Sequence, residues 1–271
     1  TYFSLSKILW LLRNVDEVNK AKLDNDLCFG TIDSWLLYKL TGNHVTDVTN
    51  ASRTLLMDLH TLNWMEDVIN RLDIPLDSLP SIKPSMFNYG TNEGILKNVP
   101  ITAVLGDQQA SLFGQNCIAS GDVKNTYGTG CFALTNTGSE IVHSNNGLLS
   151  TVAYQKDGDK PQYAIEGSVS IAGAAVQWLR DNLNIIKVSS EVEALAMAEK
   201  DNGDVYFVPA FSGLFSPHWD ETARGVLVGL SRFSNKSHIA RAVLESVAYQ
   251  SNELLESMEK DIGTTFDTVN V

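Results

Sequence analysis

Asp107, Gln108 and Gln109 stand together at the end of an apolar run, "ITAVLG" at 101–106, and "ASLFGQ" follows them. An aspartate in that place has two readings. It can start the helix that follows, because Asp is a preferred N-cap. It can also do chemistry, because ligands of open α/β sheets sit outside the carboxyl ends of strands. A carboxylate there accepts a proton from a substrate hydroxyl or faces a metal-bound phosphate. The two glutamine amides would then bond hydroxyls beside it. Spacing alone does not choose between these readings.

A second group is "NTYGTGCF", residues 125–132. Gly128 and Gly130 read as hairpin turn residues, where glycine supplies positive φ. They also leave backbone N–H groups and the Thr129 hydroxyl able to approach phosphate oxygens. No Walker-type loop occurs in the sequence. A third group is Gly173 and Gln177, four apart and so on one helix face. A glycine there admits a flat ligand or a close-packed neighbour. His218 stands alone in a long loop and is given no role; Trp219 beside it reads as a packing anchor.

These groups need elements to hold them. Apolar residues between 3 and 14 predict a helix, and 29–40 predicts another with Thr31 or Asp33 at its start and Gly42 past its end. "ITAVLG" reads as a short buried strand leading into a helical "DQQASLFGQ". "VKNTYGTGCFALTNTG" alternates as a β-hairpin around Gly128–Gly130. "LLSTVAYQ", "PQYAIEGS" and "DVYFVPAF" predict strands. A helix is expected over about 169–183, with Ala172, Val176, Leu179 and Leu183 as its buried face. The clearest helix covers about 236–260, capped by Ser234 or Asn235 and carrying a Glu256–Lys260 pair. The domain boundary is expected near 115–121.

The 271 residues are 44% hydrophobic, enough for one or two cores. Twenty Lys and Arg against 32 Asp and Glu give a net charge of −12, which argues against nucleic acid as a partner. Three unclustered cysteines suggest a reducing compartment and no metal framework. The expected location is cytoplasmic. Homo-oligomer formation and membrane association of a full-length chain are left open. The first and last residues read as interrupted structure, so a segment of a longer protein is expected.

Taken together, "YFSLSKILWLLRN", "FGTIDSWLLYKLTG", "TDVTNASRT", "GDQQASLFGQ", "KNTYGTGCF", "EGSVSIAGAAVQWLRD" and "ARGVLVGLSR" resemble the landmarks of the FGGY carbohydrate kinases, in the family's order across essentially the whole chain. Within that family the pair "GDQQ" and "NTYGTGCF" is similar to members that act on glycerol. The resemblance implies an α/β, ribonuclease H-like or actin-like ATPase fold with two domains around a cleft, incomplete here. Residues 1–115 would belong to the N-terminal, glycerol-binding domain and 116–271 to the C-terminal, nucleotide-binding domain. It implies ATP-dependent phosphorylation of glycerol to sn-glycerol 3-phosphate, with Mg²⁺ accompanying ATP. Asp107 would be the catalytic base and lie near the metal. Tyr2 and Gln108 would bond glycerol hydroxyls, and Phe132 would pack on its carbons. Thr129 would contact the nucleotide phosphates, with Gly173 and Gln177 lining that site. Another polyol or sugar kinase of the family, or a non-catalytic binding relative, is the alternative. Bacterial members similar to this chain carry a Gly-Gly-Thr-Arg loop for fructose 1,6-bisphosphate. The matching "TNEGILKNVP", 91–100, has no arginine, only Lys97, and Glu93 opposes an anion. Insensitivity to the bisphosphate is therefore expected.

Overall fold

A computed structural model describes residues 2–92, 94 and 96–271. The chain forms two compact units. One holds 1–119, 136–141 and 150–164; the other holds 120–135, 142–149 and 165–271.

The first unit opens with helices α1 (Leu5–Asn14), α2 (Asp16–Leu23) and α3 (Ile32–Thr41). Phe3 and Ile8 are buried, and Trp10 is exposed. α3 begins after extended Thr31 and ends at Gly42, whose φ of 75° closes the last turn with its N–H on the Tyr38 carbonyl. Strand β1 (Val45–Asp47) pairs in parallel with β2 (Ser81–Lys83), and the short helix α4 (Val48–Ala51) follows β1 at once. α5 (Glu66–Arg71) and a 3₁₀ turn (Leu76–Ser78) lie between α4 and β2. Ile8, Leu56, Ile69, Ile74 and Leu79 form one core of this unit; Val48, Ala51, Met57, Val152 and Tyr163 form another.

β3 (Gly90–Thr91) and β4 (Pro100–Ile101) make a two-residue antiparallel ladder. Lys97, in the loop between them, is exposed. Glu93, expected to oppose an anion there, lies outside the described residues. The expected strand over 101–106 is not formed beyond Ile101, and its apolar residues are exposed or half-buried. Their backbone is tied at separate points instead of along a ladder: Phe87 N–H donates to the Thr102 carbonyl, Val104 N–H to the Ser85 carbonyl and Gly106 N–H to the Thr49 hydroxyl. Helix α6 (Asp107–Gly114) follows as expected.

A four-stranded sheet, in the order β5–β6–β8–β7, comprises β5 (Val123–Tyr127), β6 (Cys131–Gly138), β7 (Leu149–Tyr154) and β8 (Gln162–Val169). β5 and β6 are the expected hairpin, in register from Val123 opposite Thr135 to Tyr127 opposite Cys131. In the second unit α7 spans Gly173–Asp181, shorter than expected, because β8 runs on to Val169 and the chain leaves the helix at Asn182. Leu183 is accordingly exposed, and Ala175 joins Leu179 on the buried face. α8 (Glu191–Met197), β9 (Tyr206–Val208) and β10 (Val226–Val228) precede the long α9 (Lys236–Ile262). Asn235 caps α9 by accepting from Ser237 and His238 N–H, and the buried His238 ring accepts the Asn235 N–H in return. The expected Glu256–Lys260 pair forms at 3.9 Å. Val243, Leu254 and Met258 of α9 are fully buried, each contributing about 1.5–3 kcal/mol of burial.

Candidate functional site

In the first unit a cleft of about 750 Å³ is lined by α3, by residues 101 and 103–106, and by Asn50, Arg53, Asp107, Gln108 and Gln109. Asp107 is exposed at the first position of α6. The N-cap itself is Gly106, so Asp107 is not the cap of this helix. Its carboxylate accepts the Gln108 backbone N–H at 2.9 Å and the Gln108 amide at 3.4 Å. A negative group in the first helical turn is favoured by the helix dipole. Gln109 does not share this role. It is buried, its amide donates to the Thr151 hydroxyl at 3.2 Å, and its Oε1 occupies the space a Cβ on Gly106 would need, 2.6 Å away.

What holds Asp107 in place is a carboxylate the sequence pattern did not single out. Asp47 is wholly buried and caps α4. It accepts from the Thr49 and Asn50 N–H groups, the Thr49 hydroxyl, the Asn50 amide and the Ser85 hydroxyl, all at 2.7–3.0 Å. Burial lifts this carboxyl above the usual range, and the donors work against that rise. Two of its partners reach the segment before Asp107: the Thr49 hydroxyl accepts Gly106 N–H at 2.8 Å, and the Ser85 carbonyl accepts Val104 N–H at 2.9 Å. The signals of Asp47 in the sequence were a cap residue next to a strand and its place within "TDVTNASRT".

Tyr2 joins this group through Arg53, which donates from Nη2 to the Tyr2 hydroxyl at 3.1 Å.

In the second unit the turn 128–130 docks on the start of α7. Gly173 N–H donates to the Gly128 carbonyl at 2.9 Å; Ala172 and Ala174 N–H donate to the Thr129 carbonyl at 2.8 and 3.1 Å. The glycines serve this approach. A Cβ on Gly130 would lie 2.3 Å from the Val169 carbonyl oxygen, and one on Gly173 would lie 2.6 Å from that of Gly128. Neither Gly128 nor Gly130 has the positive φ expected of a hairpin turn. Thr129 and Gln177 are exposed, and Gln177 sits one turn beyond Gly173 on α7. Phe132 is half-buried on β6, opposite Thr126. Its carbonyl accepts from the buried Lys124 amine at 3.1 Å. Trp219 is an anchor as expected, stacked on Phe215 and donating to the Gly147 carbonyl at 2.7 Å; His218 pairs with Glu253 at 3.1 Å.

Residues 1–114 match the N-terminal domain model of the FGGY family of carbohydrate kinases, and residues 123–271 match its C-terminal domain model. The chain belongs to the FGGY family of carbohydrate kinases. Its fold is the α/β, ribonuclease H-like and actin-like one of that family. It is 58% identical to glycerol kinase of Brucella anthropi over 97% of this chain and 54% of that protein. It is 55% identical to glycerol kinase of Chloroflexus aggregans over 100% of this chain and 55% of that protein. Plasmodium falciparum glycerol kinase, solved with ADP, superposes with a TM-score of 0.87 at 42% identity, over 99% of this chain and 54% of that one. Lactobacillus acidophilus xylulose kinase, at 24% identity, shares the fold with a TM-score of 0.79, over 94% of this chain and 52% of that one. The chain spans about half the length of the curated relatives it matches. Among the described residues no helix is long and apolar enough to cross a membrane.

Proposed function

We propose that the protein transfers the γ-phosphoryl group of ATP to glycerol, giving sn-glycerol 3-phosphate and ADP, with Asp107 as general base. The observation that carries this is the exposed Asp107 carboxylate on the wall of a cleft, fixed from behind by the buried Asp47 network. The identity to glycerol kinases supports the choice of substrate. The glycerol O–H bond breaks as its oxygen attacks phosphorus. The proton passes to Asp107, and the bond from the γ-phosphorus to the bridging oxygen of ADP breaks. Gln108 and Tyr2 orient glycerol hydroxyls, and Phe132 offers an apolar face to its carbons. Thr129, Gly173 and Gln177 belong to the nucleotide side. Residues 1–115 then continue the glycerol-binding domain and 116–271 the nucleotide-binding domain. The few unpaired cysteines fit a cytoplasmic enzyme.

A single exposed carboxylate suits Mg²⁺, which takes one or two protein carboxylates and completes its shell with phosphate oxygens and water. No cluster of three or more His, Cys, Asp and Glu among the described residues offers a site prepared for a metal without nucleotide. Asp107 would hold Mg²⁺ arriving with ATP, which neutralises charge on the β- and γ-phosphates.

The test is phosphoryl transfer by the full-length protein from labelled ATP to glycerol, xylulose, gluconate and erythritol at equal concentrations. Glycerol is expected to be the best acceptor by a wide margin, with a product oxidised by an sn-glycerol-3-phosphate-specific dehydrogenase. Faster transfer to a pentulose or to gluconate would replace glycerol as the substrate.

A further inference from the structure

The cleft wall that carries Asp107 also carries Arg53, to which the sequence pattern assigns no role. Its backbone belongs to the scaffold just described. Arg53 N–H closes the turn after α4 on the Asn50 carbonyl, and the carbonyls of Arg53 and Thr54 accept from Ser4 and Leu5 N–H at the entry to α1. The segment bearing Tyr2 is thereby tied to the segment bearing Arg53. The side chains repeat the tie. The guanidinium lies 4.6 Å from the centre of the buried Phe3 ring and 5.6 Å from that of Tyr2, and the two rings meet edge to face. Lys7 adds a bond from its amine to the Tyr2 carbonyl.

The bond from Arg53 Nη2 to the Tyr2 hydroxyl has a fixed direction. A guanidinium is always charged and only donates, so the phenol oxygen accepts and its own proton points elsewhere. A polyol hydroxyl can serve as donor or acceptor. A site that must present donors to it gains from fixing a neighbouring phenol in the donor orientation. We propose that Arg53 is a positioning residue that holds the Tyr2 hydroxyl with its proton directed at an oxygen of the polyol substrate. The proposal rests on the reading that Tyr2 binds glycerol.

The test uses the full-length protein, with glycerol varied at saturating ATP, for Tyr2→Phe, Arg53→Lys and the double variant. Lysine keeps the charge but loses the planar fork. Each single variant is expected to raise KM for glycerol about tenfold, the upper end for one hydrogen bond between neutral groups. kcat should stay within about threefold, as for loss of binding shared by ground and transition states. The double variant should be no worse than either single one, because both remove one interaction. ADP affinity, measured by calorimetry on the same samples, should not change. Multiplying effects, roughly a hundredfold in the double variant, would show that Arg53 acts apart from Tyr2 and overturn the proposal. Arg53→Lys that matches the parent, or that loses ADP binding along with glycerol, would overturn it too, the second by showing a purely structural role. An unchanged KM in Tyr2→Phe would remove the Tyr2 reading on which it rests. Failure of the parent protein to phosphorylate glycerol would instead remove the proposed function.

Discussion

The two stretches nearest the proposed chemistry are built in opposite ways. Around Asp107 the backbone is irregular and is tied at single points: the Thr49 hydroxyl takes Gly106 N–H, the Ser85 carbonyl takes Val104 N–H, and the Asp47 carboxylate accepts from the hydroxyls of both residues. Around Thr129 the side chains do little, and backbones touch: the carbonyls of 128 and 129 take the first N–H groups of α7, and glycines keep the gap closed. The first arrangement fails when a polar partner is removed, because buried donors are then left without an acceptor. The second fails when a carbon is added, because a backbone carbonyl cannot move aside as a flexible side chain can.

The largest effect is expected from Asp47→Ala, which strands at least the Ser85 hydroxyl and two α4 N–H groups in the interior. Urea unfolding should show a loss of about 3 kcal/mol or more. Its pH dependence has a definite sign. Burial raises the Asp47 carboxyl above its ordinary 3.8, so the folded protein takes up this proton before the unfolded chain does as pH falls. The parent gains stability from that group on acidification, through the window between the raised value and 3.8, and the variant does not. The gap between parent and variant should therefore widen as pH falls through that window. A gap under 1 kcal/mol at neutral pH would mean that Asp47 does not hold the segment.

Gly130→Ala probes the other arrangement. Its methyl would meet the Val169 carbonyl at 2.3 Å and that of Ser170 at 3.0 Å. The expected cost is about 1–3 kcal/mol, the usual range for overpacking. A variant as stable as the parent would show that the turn can lift off α7 without penalty.

Much of this was legible wherever the signal is local. Gly42, Asn235 and the Glu256–Lys260 pair mark helix ends and faces within a turn of where they act, and α3 and α9 follow them. The β5–β6 hairpin was legible from alternation. The strand expected at 101–106 failed because an apolar run specifies no ladder partner: among the described residues only Ile101 pairs, with Gly90. Gly130 was legible as a glycine but not for its reason. The reason is the Val169 carbonyl, distant in sequence, and not a positive φ. Asp47 caps α4, and its second task through Thr49 and Ser85 shows only in three dimensions.

Phe132→Ala sharpens the comparison at the substrate. The side chain is half-buried, so its removal should cost less than the roughly 3–5 kcal/mol of a core aromatic. It should raise KM for glycerol about tenfold while narrowing the preference over longer polyols. Unchanged glycerol kinetics would leave Phe132 as hairpin core only. The smallest effect concerns thiols. Cys28 is exposed, whereas Cys117 and Cys131 are buried, and burial pushes the Cys131 thiol up to about 11. Native alkylation at pH 8, mapped by peptide mass, should label Cys28 and spare the other two. Labelling of Cys131 in Gly130→Ala but not in the parent would show that the added methyl opens the hairpin.

The central claim is that the Asp107 carboxylate accepts the glycerol proton. Asp107→Asn in the full-length protein keeps the shape of that side chain and removes its basicity. Glycerol binding, by calorimetry, and phosphoryl transfer from ATP should be measured on the same preparation. The account predicts binding within about threefold of the parent, with kcat lowered by about 10²–10⁴, the range of general base catalysis. Near-parental turnover would contradict it.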